Sequence, residues 1–214
     1  MGVFEEGVRE DSRPSQHKES AFAYLSRSAG PEAEQARQRI ESWFARYPAD
    51  AANELALRLQ SRLDDQHRAA FFELLLHELL LRCGHPVAAI EPKLAHTWKS
   101  PDFLVEGQFY LEAVAAAGAD LGTVLKRKAN RYGALDLPFV IAVNWVGDED
   151  LPRVLEGLWH GPRGPQRRGV SAVLAVERAD PWRFGETCLR LLRNSWAEIP
   201  LPPVRLDRES GLLL

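Results

Sequence analysis

The pattern of apolar positions changes character along the chain. Between about residues 30 and 82 they recur at helical spacing, and between about 85 and 145 they gather into short runs set apart by turn residues. In the helical stretch, Pro31 suits the first turn of a helix that PEAEQARQRIESWFARYP carries as far as Pro48, with Ile40, Trp43, Phe44 and Tyr47 on one stripe. A second helix follows Asp50, with Leu55, Leu59 and Leu63 spaced four apart. A third, 66–82, is apolar almost all round and is expected to be buried on most sides. Its polar residues form two narrow stripes, Glu73 with His77 and Glu78 with Arg82. With one stripe at solvent, the other faces either a polar group inside the protein or a solvent edge. Gly84 ends this helix as a left-handed cap. Residues 1–20, polar and mixed in charge, read as a loose lead-in.

The apolar runs that follow read as strands. HPVAAIEPKLA, 85–95, is a strand candidate weakened by Pro92, and a short loop with Trp98 and Lys99 leads on from it. Residues 100–116, SPDFLVEGQFYLEAVAA, have the form of a β-hairpin turning near Glu106-Gly107-Gln108. Two carboxylates stand out in it: Asp102 opens the first strand, and Glu112 lies inside the second among apolar neighbours. An ionised carboxylate there is costly unless it is paired, solvated or metal-bound. A three-residue loop at 106–108 would set Asp102 opposite Glu112 on one face. A two-residue turn at 107–108 would send Glu112 to the other face. Both registers are open in the sequence, and a metal site requires the first.

Gly118 and Asp120 start the next helix, DLGTVLKRKANRYGAL. It holds the densest basic patch of the chain, Lys126, Arg127, Lys128 and Arg131, with Leu121, Val124, Leu125 and Tyr132 available for a buried side. That patch is either a solvated face or a surface for phosphate. LPFVIAVNW, 137–145, reads as a buried strand, so that 109–116, 120–133 and 137–144 form a right-handed βαβ unit. A helix over 149–159 follows. GPRGPQRRG, with Arg163, Arg167 and Arg168, is then either a basic lid over a polyanion or a surface loop. VSAVLAVE, 170–177, reads as another buried strand, 184–194 as a helix, and the Pro-broken end as a surface wrap. The domain reading is an N-terminal tail and helical extension, 1–65, and an α/β domain with a C-terminal wrap, 66–214.

Composition narrows the chemistry. The 214 residues are 45% apolar, enough for a substantial core. A net charge of −3 confines any nucleic-acid footprint to a local patch. Cys83 and Cys188, each in apolar surroundings, read as reduced core residues of a cytoplasmic protein. The charged first residues do not form a signal peptide, and no apolar run is long enough for a bilayer, so no membrane partner is expected. A zinc-protease helix is excluded because Leu81 stands where His77-Glu78 would require a second His. Nucleophile-elbow, Walker and paired-cysteine motifs are also missing.

A helix carrying a buried Glu, a strand, Pro101-Asp102 opening a hairpin, Glu112-Ala113-Val114 in its second strand, then a basic helix and an apolar strand: this succession resembles the PD-(D/E)XK, or restriction-endonuclease-like, nucleases over about 66–145. The resemblance implies an α/β fold with an α-β-β-β-α-β core, its mixed central sheet flanked by helices, here with an N-terminal helical extension. It implies hydrolysis of phosphodiester bonds in nucleic acid, DNA before RNA. Asp102 matches the motif Asp, Glu112 the second acid and Glu73 the helix Glu, and together these would hold Mg²⁺ or Mn²⁺. The motif Lys is replaced by Val114. Lys126, Lys128 or Lys99 would then stand in for it. The alternative is a silenced nuclease fold that binds nucleic acid, a second copy or a protein partner through its N-terminal helices.

Overall fold

The computed structural model describes residues 2–115, 121–145, 151–161, 164–177, 179, 181–182 and 187–206. Expectations placed on Gly118, Asp120, Arg163, the start of the 149–159 helix and the last residues of the chain lie outside these. The chain divides into two compact units, Met1–Glu78 with Ala179–Phe184, and Leu79–Arg178 with Gly185–Leu214.

The first unit is helical. Its helices are α1 (Ala21–Arg27), α2 (Pro31–Phe44), α3 (Ala49–Leu59) and most of α4 (Asp64–Arg82), whose last residues belong to the second unit. The expected domain boundary at 65/66 therefore falls at the start of a helix that contributes to both units. The helical stripes bury as their spacing requires: Ile40, Trp43, Leu55 and Leu59 are all inside, and the Trp43 and Phe71 rings lie 6.0 Å apart. Leu63, read with the buried leucines, is instead exposed. Residues 1–20 are no loose lead-in. Val3 is buried, the Phe4 amide donates to Glu41 Oε1 at 2.7 Å, and Arg9 Nε donates to the Ser26 carbonyl at 2.6 Å. Within this nominally loose stretch Ser20 caps α1, its side chain accepting from the Ala23 amide.

The second unit is α/β. Among the described residues, six strands form one mixed sheet: β1 (Val87–Ile90), β2 (Phe103–Val105), β3 (Phe109–Ala115), β4 (Phe139–Trp145), β7 (Ala172–Glu177) and β8 (Cys188–Arg193), in the order β1-β2-β3-β4-β7-β8. The strands β3, β4 and β7 are parallel, and β1, β2 and β8 join antiparallel. The parallel strands are the near-continuous apolar runs, as burial on both faces demands. Helices α5 (Leu121–Ala129) and α6 (Leu151–Trp159) cover one face, where Leu121, Leu125, Leu155 and Leu158 pack on Tyr110, Val114, Ile141 and Val173.

Three findings depart from or decide the sequence reading. The segment expected as a helix over 184–194 holds strand β8, because pairing along β7 from Ala172↔Arg193 to Glu177↔Cys188 outweighs a weak helical pattern. The Arg167–Arg168 loop follows a small hairpin of β5 (His160–Gly161) and β6 (Gly164–Pro165). Its backbone is fastened by Gln166 N to Trp159 O at 2.7 Å and Glu198 N to Arg168 O at 2.7 Å. Finally, the hairpin takes the three-residue loop, with Phe103↔Leu111 and Val105↔Phe109 paired. Gly107, at φ 62°, supplies the left-handed residue, and Gln108 N closes the turn on Val105 O at 3.1 Å.

Candidate active site

The site grows out of β3. Successive strand residues alternate faces, so Tyr110, Glu112 and Val114 share one. Tyr110 and Val114 belong to the apolar cluster beneath α5 and α6, and Glu112 lies between them, 1% exposed. A carboxylate so deeply buried is strongly destabilising unless donors replace its water. Three do. Glu112 Oε1 accepts from Lys128 Nζ and, at 3.3 Å, from Arg131 Nη1; Glu112 Oε2 accepts from Tyr132 Oη. The Tyr132 hydroxyl also lies 2.9 Å from the Ser100 carbonyl.

The spacing along α5 explains why Lys128 is the lysine that arrives. Leu121 and Leu125 are its buried residues, and position 128 continues their stripe at the next helical step. Lys126 and Arg127, rotated off that stripe, are exposed. The stripe runs on past the helix end to Tyr132, which is buried. Val114, the position that the resemblance gives to a motif Lys, is buried among Leu121, Leu125 and Tyr110. Apolar packing therefore fills that position, and the amine that meets Glu112 is carried by α5.

Asp102 stands just before β2. One step beyond the Phe103↔Leu111 pair, it is opposite Glu112. Its Oδ2 accepts from the Ala113 amide at 2.5 Å, and its carbonyl accepts from the Glu91 amide at 2.9 Å, so it extends the ladder by one step where β2 begins. The phenol of Tyr132 senses both acids. Burial, then Glu112, and in smaller measure Asp102, raise its pKa above the ordinary value. Tyr132 therefore stays protonated and donates. Its backbone carbonyl accepts from His96 Nε2 at 2.7 Å, which fastens the 91–102 loop at a second point.

The remaining sequence candidates have partners of their own. Glu73 is in the first unit, where its Oε1 accepts from Tyr47 Oη at 2.6 Å and its Oε2 pairs with Arg58 Nη2 at 2.7 Å. His77, on the same stripe, places its ring 4.8 Å from that of Tyr47. Glu78, from the other stripe, pairs with Arg46 at 2.7 Å. Lys99 holds its ammonium over the Trp98 ring, 5.6 Å from the centroid. Among the described residues no group of three or more His, Cys, Asp or Glu gathers as a metal-holding cluster. Sequence reasoning gave Tyr132 and Arg131 no role at the acid. The signal for Tyr132 was its distance of four from Lys128 and seven from Leu125, one helical stripe.

Comparison with protein-family models, curated proteins and solved structures returns no match to this chain. Among the described residues no helix is long and apolar enough to cross a membrane.

Proposed function

We propose that this protein is a metal-dependent nuclease of the restriction-endonuclease-like kind, hydrolysing phosphodiester bonds of nucleic acid, DNA before RNA, with the motif lysine supplied by α5. One observation carries the reading: the Lys128 amine sits on the Glu112 carboxylate, which stands opposite Asp102. The chain order α4, β1, β2, β3, α5, β4 supports it.

Asp102 and Glu112 offer hard oxygen donors, the set Mg²⁺ or Mn²⁺ takes when water and substrate phosphate complete its shell. Once bound, such an ion would polarise the phosphodiester and lower the pKa of a water. The chain's own residues do the rest. Lys128 offsets charge that builds on the phosphoryl oxygens. Tyr132 fixes the orientation of the Glu112 carboxylate. Arg131, at 3.3 Å from the acid and with a side chain 39% exposed, is the donor with room to turn towards a substrate phosphate. Exposed Lys126 and Arg127 extend the positive surface along α5.

A second reading, a silenced fold that binds nucleic acid or a partner protein, draws on the closed shell of Glu112 and on apolar Val114. Exposed Leu57 and Leu63 in the first unit would suit a protein partner.

The experiment is cleavage of single- and double-stranded DNA and RNA with Mg²⁺ or Mn²⁺. Wild type is expected to cleave, and Asp102→Asn, Glu112→Gln and Lys128→Ala each to lose about 100-fold or more. Lys126→Ala is expected to lose far less. A folded wild type that binds nucleic acid without cutting it would replace the enzyme with the silenced reading.

A further inference from the structure

Trp98 is 89% exposed. A large indole held in water forgoes the burial that usually accompanies this residue, so its setting bears on its use. The loop that carries it is tied down on both sides to one residue of the candidate site. Two positions before Trp98, His96 donates to the Tyr132 carbonyl at 2.7 Å; two positions after it, the Ser100 carbonyl lies 2.9 Å from the Tyr132 hydroxyl. Chain geometry then keeps the Trp98 Cα within about 8 Å of each anchor's Cα. The same Tyr132 donates to Glu112. The loop that carries the exposed ring is therefore anchored, through Tyr132, to the residue that holds Glu112.

The surroundings point to a ligand that is both aromatic and anionic. Lys99 extends its ammonium over the indole, 5.6 Å from the centroid, and Arg131 lies over the Tyr132 ring at 5.5 Å. Lys99 stands over one face of the indole, which leaves the other face for a base, while the cations of Lys99 and Arg131 suit a nucleotide's phosphate. Bases inside a duplex already stack on one another, and only an unpaired or extruded base presents its face.

We propose that Trp98 is a stacking platform for an unpaired base, so that the substrate is a single strand or a strand with an unstacked nucleotide beside the cleaved bond. This deepens the nuclease reading and rests on it.

The test is fluorescence anisotropy of labelled oligothymidylate and of an abasic oligonucleotide of equal length, with wild type, Trp98→Ala and Trp98→Phe. Wild type is expected to bind the oligothymidylate about tenfold or more tightly than the abasic strand. Trp98→Ala should remove that difference and leave abasic binding unchanged, while Trp98→Phe keeps most of it. The ring is at the surface, so the alanine variant should fold as wild type does, which far-ultraviolet circular dichroism checks. If wild type and Trp98→Ala bind both strands alike, the platform is overturned while phosphate binding and the nuclease reading stand. If wild type binds neither strand, the platform falls, and cleavage of duplex DNA with Mg²⁺ or Mn²⁺ decides the nuclease reading separately.

Discussion

At Glu112 two cations and one phenol replace bulk water around a single carboxylate, and the phenol is the uncharged member. Tyr132→Phe keeps the ring, its 5.5 Å edge contact with Phe139 and most of its volume, and removes only the hydroxyl that donates to Glu112 and lies 2.9 Å from the Ser100 carbonyl. The expected cost is about 1–3 kcal/mol in urea denaturation, the range for leaving a buried polar group short of a partner. Glu112 itself was legible because an acid inside an apolar strand demands explanation. The choice between Lys126 and Lys128 was not evident from the density of the basic patch. It follows from the continuation of the Leu121–Leu125 stripe to position 128, a geometric test the sequence permits. Tyr132 read as core because phenols on an apolar stripe commonly are, and the hydroxyl's partners become visible only once β3 lies beneath α5. The exposure of Trp98 belongs to loop geometry, which leaves no periodic signal.

Elements were legible where a local device fixes them. The end of α4 is such a case: the Gly84 amide bonds to Leu81 O at 3.0 Å and the His85 amide to Leu80 O at 2.9 Å, with Gly84 at φ 75°, which is a Schellman cap. No atom outside Gly84 and its chain neighbours lies within 4 Å of a Cβ built there, so Gly84→Ala should cost only conformational energy, about 1 kcal/mol, read as a lowered midpoint in urea. Where the deciding partner is distant, the sequence is ambiguous. Glu106-Gly107-Gln108 allowed two turns, and pairing of Phe103 with Leu111 selects one. Leu189, Leu191 and Leu192 suit a helix or a strand about equally, and β7 alongside makes them a strand. The short α1, AFAYLSR, has too few residues to display a helical period, and its stability comes from a cap and from the single buried residue Leu25.

At the scale of the molecule, acid should unfold the helical unit through its histidines. Burial, and then Arg46, hold His77 at about 4, and burial lowers His67 as well. The unfolded chain takes up these protons near the ordinary value of 6.5 and the folded chain does not. The stabilising contribution is thus fully present above about 6.5 and is lost as pH falls towards 4. Each such proton gives a slope of at most about 1.4 kcal/mol per pH unit. Thermal melts between pH 7 and 4 should show this decline, and His77→Phe should flatten it. A different consequence follows from the route by which the amine reaches the acid. On a strand, two groups of one face keep their relation by counting residues. Here Glu112 and Lys128 stand 16 positions apart on different elements, so their relation depends on the rotation of a helix about its own axis. A one-residue insertion ahead of α5 that advanced its register would turn Lys128 by about 100° and carry the amine off the acid, although both letters remained in the sequence. Selection on such a pair acts on the length of the connection as much as on the residues it joins. Descendants of this arrangement would share a spacing and a helical phase where a text search looks for a word.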